Sequence, residues 1–427
     1  MHPPRLSRCA AALLAALTLC ATVSRAAAAP AEPAEPTAPL TLQAAMALAT
    51  QANPSLSAAR FGLLAVDAGV QQAGARPNPS LSVEVQDQRR ATRETTWQLS
   101  QPLELGGKRG ARITVAERER DIAAAALAMR RAELHADVLT GFFDVLVAQE
   151  RLRLSAEAVQ LAQRAAQVAA KRVTAGKISP VEASRAKVAE AGMRLEHVQA
   201  ERALGAARKR LSALWANPVP RFERADGDLE TLPALPGDAA WQQRRAASPA
   251  FAHARLELDR RQALSQLALA NRTPDVTVNV GVKRSQELGR NQAIVGLAVP
   301  LPLFDRNAGN VTQALRLADQ AGADLAATEL RLEGELAQAV DDLASARHSI
   351  ATLRQDITPD ALNAYEAAIK GFEFGKLGFL DVLDAQRTLL QVRTQYLEAL
   401  STGHRAAAAI ERVLGHAAPA NDHQEQP

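Results

Sequence analysis

The chain has 427 residues, a length that suits two or three ordinary domains, and 47% of them are apolar but only 3% aromatic. Alanine and leucine in place of large rings exclude a compact globule built around an aromatic core, and favour long helices packed closely side by side. The net charge of +4, from 50 basic and 46 acidic residues, includes no basic block standing clear of acids, which argues against a nucleic-acid partner.

Residues 1–29 read as a secretory signal. Arg5 and Arg8 form the basic start, Cys9 to Ser24 is an uncharged core, and Ala26 to Ala29 offers small residues for cleavage. The second reading is a lipoprotein signal, Leu17-Thr18-Leu19-Cys20, in which Leu19 stands where a small residue is expected. Both cysteines, Cys9 and Cys20, lie in this segment, so the mature chain is expected to hold no disulfide and no thiol metal site. Its removal takes three arginines and no acid, leaving 47 basic residues against 46 acidic ones. Residues 30–39, rich in proline, alanine and glutamate, read as an extended leader. The longest later uncharged stretch, Thr37 to Ala59, is broken by Gln43, Gln51, Asn53 and Pro54. It makes a poor spanning helix, so a mature chain that crosses a membrane must do so with strands.

A first repeat spans 40–216. Asn53-Pro54 opens a helical run to about Gly74, followed by Pro77-Asn78-Pro79 and the alternating Leu81-Ser82-Val83-Glu84-Val85. A return strand runs through Trp97, Leu99 and Leu103, giving a hairpin at about 80–103. Trp97 suits an aromatic girdle or a packed interior. From about 110 to 172 there is no proline, and at about 1.5 Å per residue some sixty residues extend roughly 90 Å. Gly176-Lys177-Ile178-Ser179-Pro180 then breaks the helix.

A linker at 217–238 gathers Pro218, Pro220, Gly227, Pro233, Pro236 and Gly237. A second repeat, 239–415, restates the first. Ser248-Pro249 opens a helical run, Val276, Val278, Val280 and Val282 share one face of a strand, and Val295, Leu297 and Val299 share one on the return. This second hairpin lies at about 275–302. The early features match at an offset of 195 residues, and Gly375-Lys376-Leu377 matches Gly176-Lys177-Ile178 at 199, which argues for duplication. The second proline-free run covers about 307–357. Residues 416–427 form a polar tail, read as disordered.

Two hairpins with apolar and polar faces fit either a membrane barrel or a soluble core. Val181, Val188 and Leu195, like Leu383, Leu390 and Leu397, recur every seven residues, the mark of helices that supercoil round neighbours. A soluble coiled-coil scaffold in the periplasm explains the helices but leaves the hairpins idle. Four strands cannot close a barrel that needs about eight even when filled, so a membrane barrel has to be shared between chains.

The duplicated layout and Phe379-Leu380-Asp381-Val382-Leu383-Asp384-Ala385-Gln386 resemble the TolC-like outer membrane efflux proteins. Gln101-Pro102-Leu103-Glu104-Leu105-Gly106-Gly107-Lys108-Arg109 and Val299-Pro300-Leu301-Pro302-Leu303-Phe304-Asp305-Arg306-Asn307 are similar to the heavy-metal, CzcC-like branch. The resemblance covers about residues 40–415. It implies a mostly α chain with membrane β, in which a duplicated helix-strand-strand-long helix-helix unit builds a homotrimer. Twelve strands would form the outer-membrane barrel, continuous with an α-helical coiled-coil barrel in the periplasm. Implied partners are a periplasmic adaptor, an inner-membrane RND pump, outer-membrane lipid and transported divalent metal cations. The same fold could serve drug efflux or type I polypeptide secretion.

By that resemblance Gly176, Lys177, Ile178, Ser179, Gly375, Lys376, Leu377 and Gly378 form the far tip that meets the adaptor. Asp381 and Asp384 become rings at a constriction, while their acidic side chains also suit a helix's first turn. Glu182 and Arg185 hold the matching first-repeat positions, with Arg185 expected to pair with an acid in the shut state. His135, His197, His253, His348, His404, His416 and His423 are scattered without zinc-ligand spacing, so no metal site and no cofactor are expected. No phosphate loop and no nucleophile beside a base suggest an enzyme.

Overall fold

The computed structural model describes residues 35, 39–87, 89–234, 244 and 247–415, all within one unit that begins at Glu35. The signal with Cys20, most of the leader, the end of the linker and the tail lie outside the described residues.

The first repeat opens with two helices, not one. Thr41 caps α1 (Leu42–Ala52), its side chain accepting from the Ala44 N–H. Asn53 ends α1 and caps α2 (Pro54–Ala73): its Oδ1 accepts from the Leu56 N–H at 2.9 Å, and its Nδ2 donates to the Leu214 carbonyl at 2.8 Å. α1 lies in an uncharged stretch with no polar stripe to mark it, yet Ala45, Leu48 and Ala49 give it a buried face.

Four antiparallel strands follow, β1 (Ser80–Gln86), β2 (Glu94–Leu103), β3 (Val276–Ser285) and β4 (Arg290–Ala298), hydrogen-bonded in the order β1-β2-β3-β4. Two hairpins almost 200 residues apart thus join into one sheet. Directly paired residues share a face, and the register lines up Leu81, Leu99, Val280 and Val295 in one row and Val83, Trp97, Val282 and Ala293 in another. Intervening rows such as Glu84, Thr96, Lys283 and Gln292 are polar. The apolar face is bare: Leu81 is 70% and Val295 79% exposed. Trp97 lies on this face in mid-strand, 43% exposed, and not in a packed interior. Outer apolar and inner polar alternation is the pattern of strands between lipid and water. Among the described residues nothing pairs with the outer edge of β1 or of β4.

Between and below the hairpins run helices. α3 (Lys108–Thr174) is 67 residues, about 100 Å at ~1.5 Å per residue. It is followed by α4 (Pro180–Ala213), and in the second repeat by α5 (Pro249–Ala270) and α6 (Ala308–Thr352). The second long run does not stop at 357. A single π turn, Leu353–Ile357, carries it into α7 (Thr358–Glu373) before α8 (Phe379–Leu414). The Thr358 N–H reaches back five residues to the Leu353 carbonyl, and Pro359, which has no N–H to give, sits next in the first turn of α7. No helix among the described residues is long and apolar enough to cross a membrane.

One core joins α1 and α2 to the middle of α3 through Leu134, Val138, Phe142 and Val145, and to Leu211, Trp215 and Phe222. The two heptads differ. Leu383 and Leu397 are buried, whereas Val181, Val188 and Leu195 of α4 face outward, Val188 at 73% exposure. The linker is laced to the helices: Gln149 holds both backbone groups of Ala225, and His404 donates from Nε2 to the Leu229 carbonyl at 2.8 Å while stacking on Phe143 with centroids 3.5 Å apart.

Burial holds the His404 imidazole below its usual range, against the opposing pull of the Leu229 carbonyl and the Asp228 carboxylate. A depressed histidine contributes stability that is complete above the unfolded value of about 6.5 and is lost as pH falls through the lower folded value. Hydrogen exchange of residues 225–232, corrected for intrinsic rates, should therefore quicken between pH 7.5 and pH 5. His404→Gln should flatten that dependence, and equal pH responses in both proteins would contradict it.

Candidate functional site: the paired hairpin tips

The two Gly-Lys turns adopt one geometry. Gly176 (φ 67°) and Gly375 (φ 74°) take the left-handed conformation that favours glycine. In the first turn the Lys177 N–H bonds the Arg172 carbonyl and the Gly176 N–H bonds that of Val173, each at 2.9 Å. In the second, Lys376 bonds Gly371 at 2.8 Å and Gly375 bonds Phe372 at 3.0 Å. Both are Schellman caps, satisfying carbonyls that a helix end leaves free. Ser179 then starts α4, its hydroxyl accepting from the Val181 N–H, with Pro180 as the first helical residue. Gly378 starts α8, and because it has no side chain the cap comes from Asp381, whose Oδ2 accepts the Gly378 N–H at 2.8 Å.

Apolar packing brings the two tips together. Ala166 and Ala169 of α3 and Ala186 of α4 meet Phe372 of α7 and Phe379, Val382 and Leu383 of α8, with Ile178 half-buried against them. The alanines let backbones approach closely where the aromatic rings fill the space. Arg172, in the last turn of α3, crosses to the other repeat: its guanidinium donates to the Phe372 carbonyl and lies 4.6 Å from the centre of the Phe372 ring. That carbonyl already accepts from Gly375, so one atom ties both turns. A basic residue in a last helical turn is a recognisable feature, but a partner 200 positions away is not, so no local pattern singles out Arg172.

The remaining predicted residues lie at the surface of this knot. Gly176, Lys177, Ser179, Lys376 and Gly378 are exposed, and Leu377 is partly so. Asp381 and Asp384, three residues apart, point from the exposed side of α8, opposite Phe379, Val382 and Leu383. Glu182 is half-buried, and its Oε2 has no hydrogen-bond partner among the described residues. Arg185 is exposed, and among the described residues no acid forms an ion pair with it. Among the described residues no three His, Cys, Asp or Glu side chains are placed to hold a metal ion.

Arg172→Ala removes a charge-assisted hydrogen bond and a cation–π contact together worth about 2 kcal/mol. Amides of Gly375 to Leu377 should then exchange roughly 30-fold faster, since about 1.4 kcal/mol is tenfold, while those of the strands stay unchanged. Unaltered exchange at the tip would show that Arg172 does not hold it.

The chain matches the family model described as "Outer membrane efflux protein" over residues 45–217 and again over 240–416. It is 46% identical over 377 residues to the cobalt-zinc-cadmium resistance protein CzcC of Cupriavidus metallidurans, covering 88% of this chain and 90% of that one. It is 28% identical to the nickel-cobalt-cadmium resistance protein NccC of Alcaligenes xylosoxydans xylosoxydans, over 71% of this chain and 65% of that one. Among solved structures, CusC aligns with a TM-score of 0.76 at 17% identity, covering 88% and 92% of the two chains. The outer membrane protein VceC of Vibrio cholerae aligns at 0.72 with 20% identity, covering 88% and 96%. At these identities the structural likenesses show the fold.

Proposed function

The chain belongs to the outer membrane efflux protein family, and from that premise we propose that it is the outer-membrane exit duct of a tripartite RND-type heavy-metal cation efflux system, a passive gated conduit without catalytic chemistry. The single observation that carries this reading is the four-stranded sheet with a bare apolar face and two unpaired edges, standing on helices up to 67 residues long. Three copies pool twelve strands into one barrel, and their helices continue it through the periplasm. Lipid meets the Leu81 and Val83 rows. The polar rows, with the Lys283–Glu94 ion pair at 2.5 Å, line the water side.

The tip residues meet a periplasmic adaptor, which couples the duct to an inner-membrane pump. Three copies of Asp381 and Asp384 place six carboxylates around the axis, a ring that attracts cations without binding them tightly enough to stop flow. Asp381 then has two duties, since its carboxylate also caps α8. Arg185, with no acid paired to it among the described residues, pairs with one from the adjoining copy in the shut state. The extent of the identity to CzcC supports cobalt, zinc or cadmium over drugs or polypeptides as cargo.

Deleting the gene should sensitise the cell to zinc, cobalt or cadmium and leave drug tolerance unchanged; the opposite pattern would favour drug efflux. In planar bilayers Asp384→Asn should shift the cation-to-anion permeability ratio toward unity with the particle intact. An unchanged ratio would remove Asp384 from the gate. Arg185→Ala should raise conductance from its closed value, and a trimer that stays closed would remove the proposed pairing.

A further inference from the structure

The internal seam between the repeats shows how a strand edge and the loop beneath it are sealed. β2 pairs with β3 along ten residues, from Glu94 opposite Ser285 to Leu103 opposite Val276. Below that pairing the segment leading into α3 sits on the α5–β3 junction. The Leu105 N–H and the Lys108 ammonium both donate to Asp275, at 3.2 and 2.7 Å. Gly106 lies so close to Thr273 that an added Cβ would stand 2.5 Å from the threonine Cβ.

Duplication supplies the same two parts once more, and among the described residues neither meets a counterpart. The segment leading into α6 repeats the one leading into α3, and both end at a left-handed residue immediately before the helix, Gly107 (φ 75°) and Asn307 (φ 58°). In this second copy Leu301, Leu303 and Phe304 are bare, Phe304 completely so. The α2–β1 junction repeats the α5–β3 junction, with Asn78-Pro79 standing for Thr273-Pro274. Beside it opens an unfilled groove of about 590 Å³ between the end of α2 and the start of α3, walled by Pro77, Asn78 and Val115 and by the charged side chains of Arg76, Arg112 and Glu119. The two halves of the feature differ in size in a matching sense. The internal seam has no room beyond a glycine, while the outer one offers a large aromatic side chain on one edge and an open groove on the other.

We propose that residues 299–304 of one copy seat in the groove beside the α2–β1 junction of the next copy, with Phe304 as the plug that closes the seam where β4 meets β1. The occupant is a second copy of this chain because the internal seam displays the same pairing of parts, and because the edges directly above, β4 and β1, are the two that lack partners. This rests on the oligomeric barrel of the preceding reading and assigns residues to its seam.

Disulfide trapping tests it. Cys9 and Cys20 both lie in the first 29 residues, so introduced cysteines stand alone in the rest of the chain. Two differently tagged copies, one Phe304→Cys and the other Asn78→Cys, are co-expressed and oxidised in intact membranes. The expected result is a disulfide-linked pair carrying both tags, and from the F304C/N78C double variant a ladder ending at three chains. The pairing of Phe304→Cys with Phe374→Cys, at the remote tip, should give neither. Light scattering in detergent on the unoxidised variants separates the failures. A trimer mass without cross-links, as expected if Phe304 is instead immersed in lipid, overturns the seam assignment alone. A monomer mass overturns the barrel reading and the seam with it.

Discussion

A strand edge facing hydrocarbon leaves its N–H and C=O groups without any partner, at a cost of several kcal/mol for each group. β1 and β4 present two such edges on a sheet whose outer rows are leucine, valine and tryptophan. The sheet suits lipid by its face and is barred from lipid by its edges. Only further strands resolve that conflict, and no other strand exists among the described residues. Sharing the wall between copies is therefore a demand of backbone hydrogen bonding, prior to any question of cargo.

The helices tell a parallel story through hydrophobic burial. The heptad of α8 finds its partners within the chain, where Leu383 and Leu397 are buried, while that of α4 shows Val181, Val188 and Leu195 to solvent. A helix that keeps a seven-residue apolar seam uncovered is half of a coiled coil. Strand edges and the α4 seam thus lack partners at both ends of the molecule, which is what a duct assembled from identical staves requires. The tips, by contrast, are knit within one chain by Arg172 and the Phe372–Phe379 cluster, so each copy brings its two turns as a single unit.

Much of this was legible in the sequence because it depends on periodicity. Val276 to Val282 alternate and become one face of β3; Gly176 and Gly375 mark helix ends and take left-handed caps. What escaped depends on pairings that no local pattern records. α1 carries no charge to mark its outer face, so its cap at Thr41 went unnoticed. The second proline-free run points to an end near 357, and the π turn that carries the helix on past Pro359 has no simple signature. Arg172 and Phe372 meet across 200 residues. Asp381 was legible both as a helix-cap acid and as a pore acid, and the geometry shows the first while leaving the second to the assembled particle.

Native mass spectrometry of the protein extracted from outer membranes decides whether strands are pooled. Three chains per particle, released only by detergent, is the predicted result. A single chain that remains soluble once detergent is removed would contradict it, because no set of four strands can seal a wall in lipid by itself.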